Sequence, residues 1–130
     1  MKKLFTTLML AVVVCCTVNA TANFLSFQAP TMNVEGTANS IVSKLDKSLF
    51  LTEQQKPKLL TIVTSYLQQK INIQSLQQNN QNAYKTKLNS MQNGLQHKLK
   101  PLLTLTQYTE FMGLKPKTFD ETNVLSQLYY

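Results

Sequence analysis

Residues 83–102 read AYKTKLNSMQNGLQHKLKPL and repeat apolar side chains at the spacing of a helix. When successive residues are turned by about 100°, the apolar members fall on one narrow stripe. These members are Tyr84, Leu88, Met91, Leu95, Leu99 and Leu102. Pro101 cannot continue a helix and marks its end. The stretch therefore predicts a helix from about Ala83 to Leu102 that buries one face in a core.

The segment before this helix is also helical in pattern, but it is apolar around more of its circumference. It opens at Leu51–Gln55 and continues to about Gln78. Its apolar residues are Leu59, Leu60, Ile62, Val63, Tyr66, Leu67, Ile71, Ile73 and Leu76. One neighbour cannot cover so wide an arc, so we expect a central helix that contacts at least two others. The polar stretch 77–82 predicts a turn, and a long antiparallel helix hairpin follows.

Shorter helices are expected on both sides of the hairpin. Before it, apolar residues recur at helical spacing up to Leu49, and Gly36 moves the expected start to near Thr37. After it, a short helix is expected around Tyr108, and residues 122–130 can form one helical turn that docks on the bundle. The predicted fold class is therefore all-α. It is a small helical bundle built on a long antiparallel hairpin, with a shorter N-terminal helix and a short C-terminal helix.

The first residues have the organisation of a secretory signal peptide. Met1–Lys3 is positively charged, and Leu4–Val14 is an apolar run too short to anchor a chain in a bilayer. Small residues then stand at the positions that a signal peptidase requires, so cleavage is expected after Ala20 or Ala22. The alternative is a buried N-terminal helix in a cytoplasmic protein. We expect an exported chain, in the periplasm, in the outer envelope or secreted.

Cleavage changes the chemistry of the chain. Cys15 and Cys16 leave with the signal, so the mature chain has no disulfide and no thiolate site. Lipidation is less favoured, because neither cysteine follows a small residue. The full chain has 13 lysines, no arginine and 6 acids; without Lys2 and Lys3 the mature net charge is 11 − 6 = +5.

The 130 residues fit one small domain with terminal extensions. We assign residues 1–22 to the signal peptide and residues 23–36 to an extended N-terminal arm. Residues 37–114 form the helical domain, and residues 115–130 form a C-terminal tail. We expect no transmembrane span after cleavage.

The residue types that usually carry catalysis are sparse. His97 lies far from the apolar stripe, so it is expected to face water without further metal ligands. Asp120 and Glu121 are the only adjacent acids, and neighbouring side chains on a chain point in different directions. No phosphate-binding loop or nucleophile motif is present. We therefore predict no catalytic residue, no metal site and no cofactor, and a protein that is not an enzyme.

The lysines come in pairs, and two pairs lie on the helix that carries the narrow stripe. We predict a basic binding surface at Lys85, Lys87, Lys98 and Lys100. Such a surface attracts acidic or unfolded proteins or an anionic envelope surface. Aromatic residues do not alternate with the lysines, so nucleic acid is not an expected partner. The alternative is a set of solvated helix faces that serve solubility alone.

One short motif occurs twice. Leu51-Thr52-x-x-Gln55 and Leu103-Thr104-x-x-Gln107 stand 52 positions apart, each at the start of a predicted helix. A threonine hydroxyl can accept from the exposed N–H groups of a first helical turn, and a glutamine three residues later can complete a capping box. The simplest interpretation is therefore two helix caps.

The repeated motif also resembles the LTxxQ-motif family of periplasmic proteins, the Spy/CpxP-like group. The resemblance spans residues 37 to 113 and implies a small exported helical protein, typically a homodimer. It further implies a basic concave surface used for ATP-independent chaperoning or envelope stress sensing. The residues it singles out are Leu51, Thr52, Gln55, Leu103, Thr104 and Gln107.

A second likeness, through residues 107–111 and 113–117, is to small uncharacterised exported helical proteins. Two functions thus remain open: a chaperone-like or stress-related binding protein, and a structural or accessory envelope protein that binds no client.

Overall fold

The computed structural model describes residues 32–130. The predicted signal peptide, residues 1–22, and residues 23–31 of the predicted arm lie outside this part of the chain. The described residues form helices and no strand. The helices are α1 (Val34–Leu49), α2 (Gln55–Ile73), α3 (Leu76–Asn79), α4 (Gln81–Leu102), α5 (Leu105–Gly113) and α6 (Ser126–Tyr129). The predicted all-α bundle is confirmed.

Helix α1 begins three residues earlier than the sequence pattern suggests. The Asn33 backbone is extended, and its side-chain Oδ1 accepts from the Gly36 N–H at 3.0 Å. This hydrogen bond caps the first turn and offsets the low helix propensity of glycine. Residues 34–36, which the sequence assigned to the extended arm, are therefore helical.

The connection within the hairpin also differs from the prediction. Part of the polar stretch 77–82 lies in α3, a single helical turn that follows the end of α2 at Ile73. Leu76 is half-buried, and the turn contacts α4. The chain then leaves helical geometry at Asn80, whose side chain caps α4 by accepting from the Ala83 N–H at 3.0 Å.

Helix α2 lies at the centre of the bundle. It packs against α1 on one side and α4 on the other, and it also contacts α6. Leu59, Val63 and Leu67 are fully buried at these contacts. The prediction that this helix touches at least two others is confirmed, because its wide apolar arc is divided among three neighbours.

The last part of the chain closes the bundle. Helix α5 packs on α1 and α4, and an irregular segment then leads to α6, which rests on α2. Leu125 and Leu128 join the same hydrophobic core as α1 and α2. The expected terminal helical turn is confirmed as α6. Within residues 32–130, no helix combines the length and apolar character needed to span a bilayer.

Candidate functional site

The two copies of the repeated motif form the same local structure. In the first copy the Gln55 N–H donates to the Thr52 hydroxyl at 3.2 Å, and the Thr52 N–H donates to Gln55 Oε1 at 3.0 Å. In the second copy the Gln107 N–H donates to the Thr104 hydroxyl at 3.2 Å, and the Thr104 N–H donates to Gln107 Oε1 at 3.0 Å. Both copies therefore have the reciprocal bonds of a capping box. The second caps α5 at Thr104, and the first closes the turn at residues 52–55 that leads directly into α2.

The two glutamine side chains also bind each other. Gln55 Nε2 donates to Gln107 Oε1 at 2.8 Å, and Gln107 Nε2 donates to Gln55 Oε1 at 3.2 Å. The sequence predicts the two caps but not their contact, because the motifs are 52 residues apart. We call Thr52, Gln55, Thr104 and Gln107 the paired-glutamine junction.

Each glutamine further satisfies the end of a helix from the other half of the chain. Gln55 Nε2 donates to the Leu102 carbonyl at 3.0 Å, at the end of α4. Gln107 Nε2 donates to the Leu49 carbonyl at 3.1 Å, at the end of α1. The last carbonyls of a helix lack hydrogen-bond donors within their own helix, and the glutamine amides of the junction supply those donors. Four helix ends meet there in a pseudo-twofold arrangement.

The motif residues are therefore occupied by internal contacts. Leu51 and Leu103 are each 7% exposed and belong to the core. Gln107 is 9% exposed, and every buried side-chain nitrogen or oxygen in residues 32–130 has a hydrogen-bond partner. The junction builds the fold, and its polar groups are already satisfied within the chain.

The four lysines of the predicted basic surface are exposed, but they do not form one compact patch. Lys98 borders a groove between α4 and α2, whereas Lys100 borders a crevice between α4 and α5. Lys87 shares the side of Lys98 and lies about 16 Å away along the helix axis, from the helical rise and rotation. Two flanks of α4 thus carry the positive charge.

The charge of the hairpin has one sign. Residues 55–102 contain seven lysines and no aspartate or glutamate. Within residues 32–130 the two ion pairs both involve Lys56, at 2.9 Å from Asp46 and 2.8 Å from Glu53. Hydrogen bonds to Glu53 and then Asp46 raise the pKa of Lys56. Asp46 and Glu53 pair with Lys56, and the other lysines of residues 55–102 give the hairpin a net positive charge.

The groove between α2 and α4 has an apolar floor. Ile62, Tyr66, Met91 and Leu95 line it, and it encloses about 140 Å³. Ile62 and Met91 are half-buried. Its rim is formed by Gln69, Ser90 and Lys98, and Gly94 leaves it open, because no atom lies within 4 Å of where a Cβ would stand. Apolar contact and positive charge are adjacent here.

The most exposed large apolar residues lie outside the hairpin. Phe50 is 84% exposed and Leu105 is 81% exposed, and each adjoins the paired-glutamine junction in sequence. Phe119 and Met112 are about half exposed. The wide apolar arc of α2 is mostly covered by the neighbouring helices. The hairpin therefore does not expose a broad apolar strip.

His97 and Asp120 are the two polar residues considered above for a metal site or for catalysis, and both are exposed. His97 is exposed, as its position on the helical wheel predicts, and it shares a crevice with Lys100 and Tyr108. Asp120 accepts from the Thr122 N–H and hydroxyl, and these hydrogen bonds lower the pKa of Asp120. No three His, Cys, Asp or Glu side chains of this part lie together as metal ligands.

A second polar cluster has no counterpart in the sequence analysis. The Lys70 ammonium donates to the Gln127 carbonyl at 3.0 Å and also to the Tyr130 carbonyl. The Tyr66 hydroxyl donates to the Leu128 carbonyl at 3.1 Å. Burial lowers the pKa of Lys70 to about 8 and raises the pKa of Tyr66 to about 12. The sequence does not predict these contacts, because a tyrosine and a lysine four residues apart on a helix are equally typical of a solvent-exposed face.

Comparison of the chain with protein-family models, with curated proteins and with solved structures finds no match.

Proposed function

We propose that the chain is an exported helical binding protein whose hairpin captures acidic or unfolded protein segments, in a chaperone-like role that needs no nucleotide. One observation carries this proposal. A hairpin of 48 residues, 55–102, exposes lysines and no acid beside a groove with an apolar floor. The resemblance to the LTxxQ-motif group supports the same function.

The proposed capture has two steps. Positive charge on both flanks of α4 attracts a negatively charged segment before contact, over a distance set by the Debye length. Apolar side chains of the segment then contact Ile62 and Met91 in the groove, and Lys98 at the rim holds an adjacent acid. Long-range attraction sets the association rate, and the apolar contact sets the lifetime of the complex.

Aggregation of an acidic client protein tests this proposal. The purified exported chain should delay aggregation without nucleotide at 0.1 M salt, where the Debye length is about 10 Å. The delay should shrink at 1 M salt, where the length is about 3 Å. Replacing all four predicted surface lysines with glutamine should slow capture while the helical circular dichroism stays unchanged.

A matched pair of double variants separates the hairpin from net charge alone. Lys87→Gln with Lys98→Gln removes two charges on the side of α4 that faces the groove, one of them at the groove rim. Lys47→Gln with Lys117→Gln removes two exposed charges outside the hairpin. Both double variants lower the net charge by two, so the first should weaken capture more than the second. Equal weakening by the two would mean that net charge alone drives binding and would contradict a specific surface.

The second candidate is a structural or accessory envelope protein without a client. The paired-glutamine junction favours it, because the side chains of Gln55 and Gln107 hold helices together and those of Thr52 and Thr104 accept within their own motif. Absence of any delay at several-fold molar excess over client would select this function. Export and dimerisation belong to both candidates. Intact mass should show an N-terminus at Thr21 or Asn23, and sedimentation equilibrium should show a homodimer.

A further inference from the structure

Residues 123–130, which we call the terminal segment, lie in a cleft formed by α2, α4 and α5. Leu125 is 2% exposed, Leu128 is 1% exposed, and Ser126 is fully buried between them. The ring centroids of Tyr129 and Phe111 are 5.5 Å apart. The segment thus inserts two leucines and an aromatic ring into the body of the protein, as a bound peptide does.

The body supplies donors for the backbone of the terminal segment. Lys70 donates to the Gln127 and Tyr130 carbonyls, and Tyr66 donates to the Leu128 carbonyl. Gln92 Nε2 donates to the Tyr129 carbonyl at 2.8 Å. Four successive carbonyls are therefore bound by three side chains from α2 and α4. Recognition of backbone atoms depends on the turn conformation and only weakly on the side chains of the turn.

The terminal segment is connected to the body by an exposed tether. Residues 117–122 are all exposed and contain no helix. Helix α6 has four residues, which is too short to be stable without the body. A short tether holds such a segment at a local concentration on the order of millimolar. Within this connection the Asp120 N–H donates to the Ser126 hydroxyl, and the Phe119 ring centroid lies 6.3 Å from that of Tyr130, so its contacts are with the terminal segment itself. The segment is thus a short peptide joined to the body by an exposed connection.

The fit between the segment and its cleft is incomplete. A partly open crevice of about 80 Å³ lies beside it, lined by Leu128 and Tyr129 of the segment and by Gln92, Leu95, Gln96, Phe111, Met112 and Lys115 of the body. Space of this size accommodates further methyl groups, so the cleft can hold a larger apolar side chain than the one it contains.

We propose that this cleft is a peptide-binding site that the terminal segment occupies as a detachable intramolecular ligand. Its external ligand is another polypeptide presenting one helical turn with the pattern Leu-x-x-Leu-Tyr, as at Leu125, Leu128 and Tyr129. The two leucines fill the apolar floor, and Tyr66, Lys70 and Gln92 bind the carbonyls. This inference goes beyond capture by the lysine surface and holds whether or not that capture occurs.

Native-state hydrogen exchange on the full chain tests whether the segment detaches. The Leu128 and Tyr130 N–H groups donate to the Leu125 and Ser126 carbonyls, so both are protected while the turn is formed. After correction for intrinsic rates, these amides should exchange at least 100-fold faster than those of Val63 and Leu67 in α2. Equal protection in the two places would show that the segment opens only with the whole fold and would overturn the proposal.

Binding in trans tests the site itself. The probe is the N-acetylated peptide of residues 123–130, and the control is the same peptide with Leu125→Asp and Leu128→Asp. In the full chain, Leu128→Asp should release the chain's own segment and tighten probe binding at least tenfold over the unmodified chain. Thr118→Asp, in the exposed tether, adds the same charge and should leave probe binding unchanged.

Three further outcomes bear on the proposal. Adding Lys70→Met to the Leu128→Asp chain should weaken probe binding at least threefold, because two carbonyls lose their donor. Loss of helical circular dichroism in the Leu128→Asp chain would show that the segment is an inseparable part of the core and would overturn the proposal. Equal binding of probe and control peptides would do the same.

Discussion

Two polar regions hold this small bundle together in different ways. At the paired-glutamine junction, two side chains related by a repeated motif bind each other and the ends of helices on opposite halves of the chain. At the terminal cleft, Tyr66, Lys70 and Gln92 bind backbone carbonyls of a segment that has no counterpart elsewhere. The first region joins regular elements, and the second holds an irregular one in place.

The difference shows how a bundle can be rigid in one place and open in another. Every donor and acceptor of the junction lies on a capped helix end, so breaking it disturbs α1, α2, α4 and α5 together. The terminal cleft holds one helical turn on an exposed connection, and the proposed detachment of that turn would leave those helices in place. Stability measurements can therefore separate the two regions.

The largest effect should come from apolar packing between α2, α4 and the terminal segment. Leu95 is 5% exposed and borders the α2–α4 groove and the crevice under the terminal segment. Leu95→Ala should lower the free energy of unfolding by about 2–5 kcal/mol, through lost burial and a residual cavity. A denaturant titration measures this. A smaller loss than that of any polar variant below would show that hydrogen bonds, rather than packing, dominate.

The junction should come next. Gln107→Ala leaves the Leu49 carbonyl and the Gln55 amide without their partner, and we expect a loss of about 2–3 kcal/mol. The double variant with Gln55→Ala should lose less than the sum of the single variants, by about 1 kcal/mol or more. Additive losses would mean that the glutamines act only as separate caps.

The terminal cleft should give the fold a pH dependence that the junction lacks. The pKa of Lys70 is lowered to about 8 in the folded chain, so the unfolded chain binds more protons above that pH. Stability should therefore rise from pH 8 towards pH 10, by on the order of 1–2 kcal/mol after solvent screening. Thermal unfolding measures this rise, and Lys70→Met should flatten it.

Above pH 10 the sign reverses. Burial raises the pKa of Tyr66 to about 12, and it also raises the pKa of Tyr129. Their neutral forms stabilise the fold below the unfolded pKa of about 10, and this contribution disappears as pH rises through the folded values. A monotonic rise through pH 11 would contradict the burial of these two hydroxyls.

A smaller effect should separate the two regions by location. Tyr66→Phe removes the donor to the Leu128 carbonyl, with an expected loss of about 1 kcal/mol. Hydrogen exchange should accelerate at Leu128 and Tyr130 but not at the paired-glutamine junction. Gln107→Ala should show the opposite pattern.

The smallest effect should come from the exposed histidine. His97 is two residues from Leu95 in the chain, but it faces solvent beside Lys100. His97→Ala should change stability by less than about 0.5 kcal/mol. An effect as large as that of Leu95→Ala would show that the helical phase of α4 is wrong.

Helical periodicity predicts most of this fold because three of the helices alternate apolar and polar faces over many turns. The narrow apolar stripe of α4 and the wide apolar arc of α2 predict the hairpin. The width of the apolar arc of α2 also predicts its central position. The start of α1 is missed because Gly36 argues against a helix, whereas the deciding contact is the Asn33 cap. The turn at α3 is missed because the polar stretch 77–82 favours a loop, whereas Leu76–Asn79 form one helical turn that contacts α4.

The candidate sites divide in the same way. Local chemistry over three residues predicts each capping box, since threonine and glutamine act on their own helix. Pairing of Gln55 with Gln107 depends on how four helix ends meet, which no local pattern contains. The contacts of Lys70 depend on where the terminal segment docks, and that follows from the shape of the cleft. The predicted surface lysines lie on two flanks of α4. This could not be predicted without knowing that α4 lies between α2 and α5.

The paired glutamines also bear on the order of folding. Each capping box joins residues three positions apart, so it can form as soon as its helix begins. The amide pair joins residues 52 positions apart, so its closure waits for the α2–α4 hairpin. An interaction absent from the transition state slows unfolding without speeding folding. We therefore expect the pair to set how long the folded chain persists, while the hairpin sets how fast it forms.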